Sequence, residues 1–220
     1  MKKNWTELGA LAVSALVSGA FIGLGATAFL AIKSAGGTYL FNLIGSLFFT
    51  LGLYAIIHWQ LWLYTGKVGF VFEKPFSFTL KLIPCITFNL LGAALFALLI
   101  KATRLAPNII PAATSLVSAK MADSYLSIFI LACLCGVMIY LAVKGHAICA
   151  YGLAKTIACF LSISIFILCG FEHVVANAVY FTYAGVFSGR AAILFVLMAL
   201  GNGVGSIVTD AVLKIASRAK

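Results

Sequence analysis

Charged residues in this chain sit at intervals that leave membrane-length apolar runs between them. Twenty-five uncharged residues separate Glu7 from Lys33, and thirty-three separate Lys33 from Lys67. Lys81 to Lys101 encloses nineteen, Asp123 to Lys144 twenty, and Arg190 to Asp210 nineteen. Lys155 to Arg190 brackets thirty-four, interrupted only by Glu172 and His173. About 20 residues of helix cross the hydrocarbon core. In lipid the backbone must satisfy its own polar groups, which leaves helices or closed barrels. Runs of this length predict helices, six spans in all. Composition agrees: 9% of residues are charged and 64% hydrophobic, where a soluble domain carries about 25% charged. The basic start Met1-Lys2-Lys3 leads into an apolar run too long for a typical cleavable signal.

The second and fifth runs exceed one crossing by about half, and each is the middle member of a group of three. A long or interrupted segment at matching positions of two halves marks an inverted repeat with broken helices. The expectation is an all-α integral membrane domain in a 3+3 repeat. Its first repeat covers about 8–101, and its second about 120–216. The connector 102–119 holds Pro107 and Pro111 and reads as an external loop. The breaks are expected near Thr65-Gly66-Lys67 and near Gly170-Phe171-Glu172-His173. Ten basic residues fall on one side and five on the other, which puts both termini in the cytoplasm and the chain in the inner membrane. Small residues four apart in the first and last spans (Ser14, Ser18; Gly19, Gly23; Gly201, Gly205) permit close helix approach, within the bundle or between subunits.

The formal net charge of +10 invites a nucleic-acid reading, but the basic residues are dispersed among helix ends. Lipid headgroups account for them better. The six cysteines stand singly in apolar runs and read as packing thiols; Cys133-Leu134-Cys135 has the wrong spacing for a redox pair or a zinc site. Gly201-Asn202-Gly203-Val204-Gly205 lies inside a span with no preceding strand, so it is not a dinucleotide loop. No catalytic triad or metal-ligand cluster is present, and neither cofactor nor metal is expected.

Ionisable groups at bilayer depth cost roughly 3 kcal/mol or more each, so Glu172-His173 marks where something polar crosses. His173 reads as a pore residue, because imidazole can be neutral or cationic near physiological pH; the bland alternative is a helix-capping histidine bonded to a freed backbone carbonyl. Glu172 is expected to face away from the lumen and support the break, capping a half-helix or bonding its amides, with Gly170 and Asn177 beside it. Thr65 can cap freed backbone groups or contact a solute oxygen. Lys120 is either a solvated loop lysine or a vestibule lysine that concentrates anions. Asn202 is a polar group at depth, able to bond across helices. His58, beside Trp59, is a packing or interfacial histidine, and His146 sits near the cytoplasmic Lys144.

These residues together resemble the formate/nitrite transporter family. Gly170-Phe171-Glu172-His173-Val174-Val175-Ala176-Asn177 matches the family's fifth-helix motif of the form GFEHSxAN, with Val174 in place of serine. Cys135 to Val143 is similar to the fourth-helix motif, Gly201-Asn202 with Gly205 to the last-helix glycines, and Leu61 to Gly66 more weakly to the second-helix motif. The resemblance implies an aquaporin-like subunit in a homopentamer, passing small monovalent anions such as formate, nitrite or hydrosulfide. By position, His173 would be the central pore histidine and Thr65 its opposed hydroxyl. Phe49 and Phe166 would be constriction residues, Lys120 the anion-attracting lysine and Asn202 a pore-side amide. Proton donation from His173 would let a weak acid pass as the neutral species. Two positions depart from the family: Gly136 replaces an asparagine and Trp62 an acid. They motivate the alternative, a non-conducting structural or regulatory membrane subunit.

Overall fold

The computed structural model describes residues 2–218, with side chains from residue 6 onward. The side chains of Lys2 and Lys3, and Lys220, which entered the orientation count, lie outside the described residues. Apolar runs become helices: α1 (Lys2–Gly36), α2 (Tyr39–His58), α3 (Tyr64–Lys67), α4 (Phe76–Lys101), α5 (Ala106–Ala122), α6 (Tyr125–Ile148), α7 (Gly152–Leu168), α8 (Val174–Ala184) and α9 (Gly189–Ser217). A 3-10 turn, Val68–Glu73, follows α3, and no strand occurs among the described residues. Five helices (α1, α2, α4, α6 and α9) are long and apolar enough to cross a membrane; α7 and α8 are apolar but shorter. Large apolar side chains face outward along them, among them Leu80, Ile83, Leu95, Leu98 and Leu99 of α4. Such a surface requires lipid or protein against it.

The helices form two groups of the same design. In the first, α1 packs on α2 and α4; in the second, α6 packs on α7 and α9. Contacts of α2 with α7 and of α4 with α8 join them. Within each group two helices meet backbone to backbone. A Cβ at Gly19 would strike the carbonyl oxygen of Asn89, and one at Gly92 that of Leu16. In the other group a Cβ at Gly136 would strike the carbonyl oxygen of Asn202, and one at Gly205 that of Cys133. Small residues at these crossings let the axes approach. Gly136 is therefore a contact position between α6 and α9, not a lost hydrogen-bonding side chain.

Two expectations are corrected. The connector is not a loop: α5 occupies most of it. Pro107 falls at the start of α5, where an amide has no intrahelical partner. Pro111 removes one interior bond, and the buried stripe Ala106, Ile109, Ala113 and Val117 offsets that loss by packing on α8 and α1. The first break also lies earlier than expected. α2 ends at His58, the chain turns at Trp59 and Gln60 and runs extended to Leu63, and Thr65-Gly66-Lys67 is already helical again.

Candidate functional site

Both breaks are built from the same bonds. After α2, the amides of Trp59, Gln60 and Leu61 donate back to the carbonyls of Ala55, Ile57 and Ile56. After α7, those of Cys169, Gly170 and Phe171 donate to Ile165, Ile167 and Phe166. Gln60 (φ 54°) and Gly170 (φ +69°) make the left-handed turn that reverses the chain. An asparagine from a third helix then holds each extended segment. Asn89 Oδ1 accepts from the Tyr64 amide at 2.8 Å, and its Nδ2 donates to the carbonyls of Trp62 (2.9 Å) and Ala15 (2.7 Å). Asn202 Oδ1 accepts from the Val174 amide at 3.0 Å, and its Nδ2 donates to Glu172 (2.7 Å) and Ala132 (2.9 Å). Both asparagines are fully buried. A buried polar backbone must be bonded, and one carboxamide supplies three bonds at once.

These bonds bring His173 against Thr65. His173 is the N-cap of α8: its Nδ1 accepts from the Ala176 amide at 3.1 Å. An N–H can only donate, so Nδ1 carries no proton in this arrangement and the ring proton sits on Nε2. Nε2–H then points at Thr65 Oγ1, 2.8 Å away. Both residues are about 1% exposed, so the pair is closed off. The Phe166 ring stacks on the imidazole with centroids 5.8 Å apart, and Phe49 meets Phe166 edge-on at 5.6 Å. Two hydrogen-bond donors, the imidazole Nε2–H and the threonine hydroxyl, thus face each other beside an aromatic wall. His173 does cap a helix, but through Nδ1 on an amide rather than by a bond to a carbonyl, and this leaves Nε2 facing Thr65.

Glu172 turns the opposite way. Both its oxygens lie 2.6 Å from Lys120 Nζ at the end of α5, and Oε2 also accepts from Asn177 Nδ2 at 2.8 Å. Lys120 is thus neither a free loop lysine nor an open vestibule lysine, since its ammonium is committed to a buried carboxylate. Asn177 Nδ2 also bonds the His173 carbonyl at 3.0 Å, while its Oδ1 is buried without a partner among the described residues. The cap of α8 comes from His173, not from Glu172. Asn202 is spent entirely on the backbone. His58 lies apart, stacked on Tyr54. Sequence reasoning missed Asn89, although the signal was the one that exposed Asn202: a lone amide inside an apolar run.

The fold is similar to two solved structures. An "FNT family ion channel" superposes with a TM-score of 0.85 at 22% identity, over 98% of this chain and 92% of that one. A "pentameric formate channel with formate bound" superposes with a TM-score of 0.75 at 19% identity, over 97% and 96%. No curated protein matches the sequence. The family model described as formate/nitrite transporter matches residues 1–216. That match spans nearly the whole sequence: the chain belongs to the formate/nitrite transporter family.

Proposed function

We propose that the chain is a channel or transporter for small monovalent anions such as formate, nitrite or hydrosulfide, with one pore per subunit of a homopentamer. We read residues 8–101 and 120–216 as its two repeats and both termini as cytoplasmic, in the inner membrane. The observation that carries the reading is the Thr65–His173 pair at 2.8 Å between two helix breaks, flanked by Phe166 and Phe49. A small anion that parts the pair meets two donors and sheds water against the aromatic rings. Desolvation raises the pKa of a weak acid, which favours its neutral form at this depth. In this reading a proton taken up at Nδ1 releases the Ala176 amide, and the anion receives the Nε2 proton. The ring is then neutral with its proton on Nδ1, and only when water carries that proton from Nδ1 to Nε2 does Nδ1 cap α8 again. Asn202 and Glu172 hold the break and do not touch the solute.

Purified protein in liposomes tests this by flux of formate, nitrite and hydrosulfide across pH. We expect flux of at least one that rises as pH falls, and its loss in His173→Ala. His173→Gln keeps a donor but relays no proton, so it is expected to lose the pH dependence. No flux of any of the three from well-folded protein would overturn the channel reading in favour of a non-conducting subunit.

A further inference from the structure

A cavity of about 400 Å³ opens between the end of α2, α3 and the facing ends of α6 and α7. Its polar lining is Gln60 and four basic side chains: His58, Lys67, His146 and Lys155. None of the four pairs with a carboxylate among the described residues. Four of the other lysines, Lys81, Lys120, Lys144 and Lys214, each sit against an acid, while Lys33 and Lys101 bond neutral oxygens. Nor is an acid left over for the cavity. Glu7 meets Lys81, Glu73 meets Lys144 and Lys214, and Glu172 meets Lys120. Asp210 meets Lys214 and Tyr140, and Asp123 bonds Ser124 and Ser127. Lys67 is half-buried, with its Nζ 5.7 Å from the Trp62 ring.

We propose that this cavity is a docking site for an organic anion with two or three carboxylates. Two permanent cations and two imidazoles around one space are poorly neutralised by a single negative charge; charge-assisted bonds to several carboxylates neutralise them together. The volume lies in the range of sites that hold an organic ligand, well beyond what a three- or four-atom anion fills. Leu53 and Leu63 line its inner wall and suit a carbon skeleton. Leu63 and Gly66 place the cavity floor beside Thr65, so a seated polycarboxylate covers the approach to the histidine–threonine pair. Binding stands independently of transport; only the resulting obstruction rests on the channel reading.

Titration calorimetry on the solubilised protein tests the site, with citrate as probe and acetate as comparison at fixed ionic strength. Citrate is expected to bind once per subunit and acetate at least about tenfold more weakly. Lys67→Gln with Lys155→Gln should weaken citrate by about tenfold or more, the loss expected for removing charged hydrogen bonds. Should the double variant not fold, Lys155→Gln alone is expected to weaken citrate several-fold. Equal affinity for acetate and citrate, or citrate binding unaffected by these substitutions, would overturn the proposal. Citrate binding read by calorimetry requires no flux, and the flux assay run without citrate requires no binding here, which separates failure of this site from failure of the channel reading.

Discussion

The two helix breaks share a backbone and differ in charge. At the first, the residues facing the held turn are Trp62 and Leu63; at the corresponding places of the second stand Glu172 and His173. Trp62 packs on Phe78 (5.5 Å between centroids) and its amide donates to Ser14 Oγ, while Glu172 donates its amide to the Leu131 carbonyl and its carboxylate takes Lys120. Both breaks nevertheless stay open, each with an asparagine making the same three bonds. The charges are therefore not what breaks the helix. A carboxamide on a neighbouring helix holds each break, and only the second also carries an acid and an imidazole.

Five single substitutions and one double change test this division. Glu172→Ala should have the largest effect, because it leaves the part-buried Lys120 ammonium without its partner. We expect a loss of about 3–5 kcal/mol, read by thermal unfolding in detergent; the double change Glu172→Gln with Lys120→Met should recover much of it. Next, Asn89→Ala and Asn202→Ala should each cost roughly 2–4 kcal/mol by orphaning backbone groups, and by similar amounts. Unequal losses would show that the breaks are held differently. Ser14→Ala strands the Trp62 amide and should cost about 1 kcal/mol, with no counterpart in the second half, where a backbone carbonyl plays that role. Smallest is Gln60→Gly. Gln60 adopts the left-handed conformation that Gly170 fills opposite it, and glycine there should raise stability by about 0.5–1 kcal/mol.

Apolar periodicity and the family motif made the second half legible before any coordinates. The break at Gly170–His173 was visible because an acid and an imidazole stand out in thirty uncharged neighbours. The first break is built from Trp59, Gln60, Leu61 and Leu63, none of which signals a turn. The glycine after Thr65 drew the expected break several residues too far along. α5 was hidden by its prolines, although Ala106, Ile109, Ala113 and Val117 repeat at helical spacing. The Lys120–Glu172 bond spans 52 residues, and nothing local announces a pairing at that separation. Gly136 was read through its missing side chain, whereas its role is to be small.

One imidazole caps α8 through Nδ1 and meets Thr65 through Nε2. Protonation at Nδ1 cannot occur while the Ala176 amide donates there, so any charge on the ring is felt mechanically in the first turn of α8. The Ala176 amide thus becomes a gauge of the pore. Its hydrogen-exchange rate would follow the charge state of a side chain that is only 1% exposed.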